Sequence, residues 1–229
     1  MSPLSSERCV VTLSPAQVCV GEKKIACDPS FGAEPWQGAL AALKEAGLGK
    51  AKVTVVLSNH FVRYALVPWS SALGGPAEED GYVRHHFVKI YGERAKAWTL
   101  RASPAPGTAP RLASAIDSAL LKELQDVFAK LPGTRLVSVQ PQLMAGFNRL
   151  RKAIPAGGAW LVLADPERAC VALHDASGWR AVHNGKEPWL ALLERERHRI
   201  DGPLPSLVLL SGAAAPSNSG EWQFRELAA

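Results

Sequence analysis

The stretch CVVTLSPAQVCVGEKKIAC, residues 9–27, decides the fold. It breaks into three short runs of β-branched and apolar residues, Cys9–Leu13, Gln17–Gly21 and Lys23–Cys27. Ser14-Pro15-Ala16 separates the first two as a turn signal, and Asp28-Pro29-Ser30 closes the third. Three strands joined this tightly form an antiparallel meander. Downstream, Trp36–Leu48 repeats Trp36, Leu40, Leu43 and Leu48 at helical spacing, with Gly47 and Gly49 as the stop. KVTVVLS, Lys52–Ser58, is a continuous β-branched run of the kind buried on both faces of a sheet. The first 58 residues therefore read β-β-β-α-β.

The last third repeats that order. AWLVL (Ala159–Leu163), ACVAL (Ala169–Leu173) and WRAVH (Trp179–His183) are three strands with tight turns at Asp165-Pro166 and Asp175–Gly178. A helix over Glu187–Arg199 follows, with Pro188 in its first turn, then an apolar strand at Leu207–Leu210. A loose linker over Ala213–Gly220 leads to a final strand within Glu221–Leu227. Between the two meanders the texture differs. His60–Val67 reads as a strand ended by Pro68-Trp69, residues 77–92 as a helix turning Tyr82, His86, Phe87 and Ile90 inward, and Ala97–Ala102 and Arg111–Ala115 as strands. Asp117 then caps a helix through Lys130, Thr134–Val139 is a strand, and Gln142–Ala153 a helix.

Strand meanders followed by strand–helix alternation give mixed sheets with helices on their faces. This is the element order of the ribonuclease H-like fold, and two such units in tandem make the actin-like fold. The expectation is an α/β protein of two ribonuclease H-like halves, the second reduced. Residues 1–154 form the first half, with an inserted subdomain at about 59–115, and residues 155–229 the smaller second half.

Composition narrows the function. The 229 residues are 47% hydrophobic and 21% charged, which excludes wholesale disorder. No stretch approaches 18 apolar residues without a charge, and the opening residues lack the apolar core of a secretory signal. Cys9, Cys19, Cys27 and Cys170 form no C-x-x-C and read as reduced thiols of a cytoplasmic protein. The net charge of +5 is dispersed, the densest basic groups (Arg149, Arg151, Lys152 and Arg195, Arg197, Arg199) sitting at helix ends, so no nucleic-acid partner is expected.

The segments VTVVLSNHFVRYALVPW (Val53–Trp69) and Arg111–Leu150 carry a family resemblance. They are similar to the actin-like proteins of type IV pilus and type II secretion inner-membrane platforms, the PilM family and the cytoplasmic domains of its relatives GspL and MshI. Arg63 leading through Val67-Pro68-Trp69 is similar to the family's entry into its inserted subdomain, and the run Arg111–Asp117, then a helix, then Thr134–Pro141 and Leu143–Leu150 resembles its helix–strand–helix return. The resemblance implies a non-catalytic cytoplasmic scaffold or adaptor of a type IV pilus or type II secretion-like assembly. Its partner would be the cytoplasmic tail of a membrane-anchored protein, so membrane association comes only through that partner and the location is peripheral at the inner membrane. A homodimer stays open.

Two further readings bear on chemistry. In family members that bind ATP, a glycine-containing turn between the first two strands of each half cradles phosphate, because its backbone N–H groups can approach the anion. Here those turns read LSPAQ (Leu13–Gln17) and LADPE (Leu163–Glu167), with no glycine, a donor-removing proline in each, and two carboxylates in the second. No nucleotide cofactor, no metal and no enzymatic activity are expected; the alternative is a nucleotide-binding or hydrolytic enzyme of the same superfamily with an unrecognised site. Ser58, His60 and Asp117 are a weak triad candidate without a nucleophile elbow, better read as a turn. His85-His86 lies on adjacent helix faces, so both cannot point at one metal, and the His174/His183 pair flanking a hairpin lacks a third ligand. The expected function residues are Arg63, Arg84 and Arg101 as the basic lining of a groove, with Trp69 and Trp98 beside them. The strands at 60–67 and 97–102 would offer an edge to an extended peptide.

Overall fold

The structure, a computed structural model, describes residues 7–28, 30, 32, 34–105 and 107–227. The opening residues read for a signal, and part of the turn at Asp28-Pro29-Ser30, lie outside the described residues.

The first meander forms as β1 (Glu7–Leu13), β2 (Gln17–Val20) and β3 (Lys23–Ala26), followed by α1 (Gln37–Lys44) and β4 (Ala51–Leu57). Ser14 closes the first turn: its amide and hydroxyl both donate to the Gln17 carbonyl, and its Oγ accepts from the Gln17 amide. Helix α1 is shorter than its periodicity suggests. It ends at Lys44, where the Ala46 amide turns back to the Leu43 carbonyl before Gly47 at φ 69°.

The middle segment supplies β5 (Val62–Val67), α2 (Pro76–Tyr91), a 3-10 turn at Glu93–Ala97, β6 (Trp98–Ala102) and β7 (Arg111–Asp117). Pro76 opens α2, and Glu78 and Glu79 in its first turn complement the helix dipole. Then come α3 (Ser118–Lys130), β8 (Arg135–Pro141) and α4 (Gln142–Leu150). The Asp117 carboxylate accepts from the Ala119 amide at 2.9 Å, the cap its position calls for. The last third contributes β9 (Ala159–Asp165), β10 (Arg168–Asp175), β11 (Gly178–Gly185), α5 (Trp189–Arg199), β12 (Leu207–Ser211) and β13 (Gln223–Glu226).

Two five-stranded sheets result, ordered β3-β2-β1-β4-β8 and β11-β10-β9-β12-β13. The order is the same in both: an antiparallel meander whose first strand pairs in parallel with the strand after the helix, and that strand in parallel with the last. The second sheet has a loop where the first has β5 through α3 between its last two strands, which is the expected reduction.

Contacts divide the chain into two compact units. One takes the described residues through Val62 together with Ile116–Ala145, the other Arg63–Ala115 together with Gly146–Ala229. In the first, α1 lies against β2 and α3, and α3 against β8. Val11, Leu13, Val18, Leu40, Leu43, Val53, Val55, Leu57, Leu120 and Leu124 are buried there, each worth about 1.5–3 kcal/mol. Glu123 ties the helices together, accepting from Trp36 Nε1 at 3.0 Å and from Gln37 Nε2 at 2.9 Å.

The second unit holds two cores. Trp160, Val162, Val171, Leu173, Leu192, Leu193, Val208, Leu210 and Trp222 form one, with α5 packed on β9, β10 and β11. The other joins Val83, Phe87 and Ala95 to Ala65, Val67, Ala113 and Ala115 of the three-stranded sheet β5-β7-β6. Small alanines on β5 and β7 leave room for the Phe87 ring. Ile90, expected inward, is 52% exposed. Tyr91 takes its place in the last turn of α2: its ring stacks on Phe87 at 5.6 Å, and its hydroxyl donates to the Tyr64 carbonyl at 2.8 Å.

Candidate functional site

In open α/β sheets, ligand chemistry gathers at the carboxyl ends of parallel strands. In the first sheet those ends carry Ser14 after β1, Ser58-Asn59 after β4 and Gln142 after β8, all uncharged. Hydrogen bonds tie the three strand ends together. The Ser58 amide donates to the Leu13 carbonyl at 2.9 Å, and the Asn59 amide to Gln142 Oε1 at 3.0 Å. Ser58 Oγ and His60 Nδ1 do come within 3.3 Å, but Ser58 is 1% exposed, and the Asp117 carboxylate is engaged as a helix cap. A nucleophile sealed from solvent, beside a histidine with that acid committed elsewhere, is a turn and not a triad. The corresponding turn of the second sheet is the two-residue loop between Asp165 and Arg168, with Glu167 at φ 59°, a conformation uncommon for a side chain larger than glycine. Among the described residues, no group of three or more His, Cys, Asp or Glu is placed to hold a metal ion. No helix among them is long and apolar enough to cross a membrane.

The three-stranded sheet positions the five residues expected to bind a partner. Because β7 lies in the middle, β5 and β6 are its two edges. Arg63 in β5, and Trp69 just beyond it, therefore belong to one edge; Trp98 and Arg101 in β6 belong to the other. Two strand spacings put the edges about 10 Å apart. One groove along one edge does not collect all five.

At β6 the pattern is open. Trp98, Thr99, Leu100 and Ala102 are half-buried and Arg101 is exposed. Arg84, from the third turn of α2, reaches over this edge, its Nη1 3.4 Å from both the Lys96 and Trp98 carbonyls. The Trp98 ring meets Tyr91 edge-on at 5.4 Å and carries Arg94 at 5.9 Å. At β5, Tyr64, Ala65 and Val67 are buried, and Tyr91 occupies the Tyr64 carbonyl. Burial first, then the guanidiniums of Arg168 and Arg94, pull Arg63 below the usual arginine range, against the Tyr91 phenol. Burial likewise pushes the Tyr91 phenol up, opposed by Arg63 and Arg94. Trp69 is covered by the Arg111 guanidinium, 3.6 Å from its ring centroid, and meets Tyr82 edge-on; Glu79 holds Arg111 at 3.5 Å. The structure thus gathers Arg84, Trp98 and Arg101 on one edge and places Arg63 and Trp69, both half-buried, on the other. Arg111 and Tyr91, which fix the two tryptophans, went unnoticed in the sequence. Their signal is only an aromatic and a cation in segments that the strand order later brings together.

Neither a protein-family model nor a curated protein sequence matches the chain. Solved structures do. The cytoplasmic domain of EpsL, an inner membrane component of the type II secretion system of Vibrio cholerae, is similar over 98% of this chain and 91% of its own, at TM-score 0.62 and 15% identity. A Bacteroides thetaiotaomicron protein with an actin-like ATPase fold is similar over 91% of this chain and 82% of its own, at TM-score 0.53 and 7% identity. The fold is actin-like. A PilM–PilN type IV pilus biogenesis complex contains a further similar chain, at TM-score 0.58 and 15% identity, over 85% of this chain and 66% of that one. Two of these three structures come from the type II secretion and type IV pilus systems that the sequence resemblance named. Within the actin-like frame, the two five-stranded sheets are the two ribonuclease H-like cores.

Proposed function

We propose that this actin-like protein is a non-catalytic scaffold in a type IV pilus or type II secretion-like assembly, holding the cytoplasmic segment of a membrane protein along β6. The observation that carries the reading is the β6 edge itself. It is a short, half-exposed strand, flanked by Arg84 and Arg101 and backed by Trp98 fixed on Tyr91. An extended peptide adds to such an edge through main-chain hydrogen bonds, and alternate side chains supply specificity. The structural likeness to a type II secretion component and to a type IV pilus complex supports this setting. The strand-end turns support the absence of catalysis: Ser14, Ser58, Asn59 and Gln142 at the first sheet carry no charge, and the second presents Asp165 and Glu167 where a phosphate would need donors.

The test is binding of synthetic cytoplasmic segments from the inner-membrane proteins encoded beside this one, by fluorescence anisotropy. At least one segment binds; Arg101→Glu with Trp98→Ala weakens it about tenfold or more, as expected when an anchor and a charge pair are removed. Arg63→Ala with Trp69→Ala tests the opposite edge and leaves binding within about twofold, because β7 separates those side chains from β6. Unchanged binding in both variants overturns the proposal. Calorimetric titration with Mg-ATP gives no heat of binding on this reading; saturable binding favours a nucleotide-dependent enzyme.

A further inference from the structure

The first sheet carries a second feature, distinct from the β6 edge. In the registers of β1 with β4 and of β4 with β8, Arg8 lies opposite Lys52 and Lys52 opposite Arg135. Three cations thus stand in one row across three adjacent strands, spanning about 10 Å. All three are exposed, on the face opposite the buried Val11, Val53 and Val55. Among the described residues, no ion pair engages any of the three. One step along the strands lie Val10, 55% exposed, and Val137, 58% exposed, the latter at the irregularity where β8 gains a residue against β4. Like charges directly opposed on neighbouring strands destabilise a sheet, and apolar side chains at this exposure gain less than half of what full burial would give. A partner both acidic and apolar would offset the repulsion and complete the burial.

We infer that this face docks an acidic amphipathic helix of a protein partner. Helical carboxylates at i, i+4 and i+7 spread over about 10 Å, which matches the cation row, and aliphatic residues beside them would cover Val10 and Val137. Two arginines of three favour carboxylate recognition, since the guanidinium fork pairs bidentately. A second copy of the chain would bring the same cations against themselves. An anionic membrane is the weaker match: surface binding draws on clusters of 4–8 basic residues with protruding aromatic or long aliphatic anchors, whereas this face has three cations and two short valines on rigid strands.

The probe is a labelled helical peptide about 18 residues long, with glutamates at i, i+4 and i+7 and leucines beside them, titrated against the whole protein at low salt. It binds, its lysine-for-glutamate counterpart does not, and Lys52→Glu weakens it about tenfold or more while Lys89→Glu on α2 leaves it unchanged. Lys52→Glu also melts no lower than the native chain, because it sets a carboxylate between two arginines; Lys52→Gln serves as the uncharged check. Equal binding to Lys52→Glu, or no binding of the acidic peptide, overturns the inference. So does a lower melting temperature for Lys52→Glu together with Lys52→Gln. Lys52-dependent sedimentation with vesicles of phosphatidylcholine and about one third phosphatidylserine, without peptide binding, assigns the face to a membrane instead. None of these readouts depends on the β6 edge.

Discussion

Gly212→Ala would test how tightly the second sheet is closed at its carboxyl end. Gly212 follows β12 directly, at φ +85°, and a Cβ built on it meets the Ala164 carbonyl oxygen at 2.0 Å and the Ala164 carbonyl carbon at 3.0 Å. Both are main-chain atoms of β9, which cannot swing aside like a side chain, and β12 pairs with β9 up to Ser211 opposite Leu163. The left-handed conformation costs a side chain about 1–2 kcal/mol. Moving one strand end by the ångström or so that the overlap demands adds about 1–3 kcal/mol. Reduced freedom of the unfolded chain returns about 0.4–1 kcal/mol. The net loss is about 1–4.5 kcal/mol, or roughly 3–15 °C in melting temperature for a chain of this size. Gly47→Ala is the control, with φ +69° but nothing within 4 Å of the added carbon; it should lose about 1 kcal/mol or less. Urea and thermal unfolding followed by tryptophan fluorescence give both values. Equal losses in the two variants, or a Gly212→Ala loss below about 0.5 kcal/mol, would refute the reasoning, since the β9–β12 approach would then add nothing.

Phe87→Ala empties the centre of the α2 core and should cost about 3–5 kcal/mol by urea unfolding, with Trp98 fluorescence shifting as Tyr91 loses its stacking partner. Asp117→Ala leaves the Ala119 amide uncapped and should cost about 1 kcal/mol, while Asp117→Asn costs much less. Burial first lowers the pKa of His183, and Arg195 and Arg199 add to this against the pull of Glu196 and Glu187; burial also lowers His174 and His86. Each then binds a proton less readily folded than unfolded, so its contribution is fully present above pH 6.5, the ordinary histidine value, and is lost as pH falls through the lowered folded value. Melting temperature should therefore drop on acidification below about pH 6.5, less steeply in His183→Asn.

Much of the fold was legible because its signals are local. The β-branched runs at Cys9–Leu13 and Lys52–Ser58, the turn residues between strands and the Asp117 cap act within a few residues of themselves, and the repeated element order implied two halves. Ends were harder. Helix α1 stops at Lys44, before the glycines that mark it, and Tyr91 displaces Ile90 because a hydroxyl within reach of the Tyr64 carbonyl outweighs one more aliphatic contact. The candidate site was legible only in part, for a topological reason. Residues 60–67 and 97–102 looked like neighbours along one edge, yet β7 inserts between them, so Arg63 and Trp69 part from Trp98 and Arg101. The cation row was invisible for the same reason: Arg8, Lys52 and Arg135 align only through two strand registers.

A partner's extended segment held along Trp98–Ala102 would shield the backbone amides of that strand. Hydrogen–deuterium exchange of the whole protein, with and without the tightest-binding cytoplasmic segment, tests it most directly. Slowed exchange confined to the β6 amides and the Arg84 turn of α2 is the predicted result. Unchanged exchange at β6, with protection at the strand-end turns around Ser14 and Ser58 instead, would contradict it.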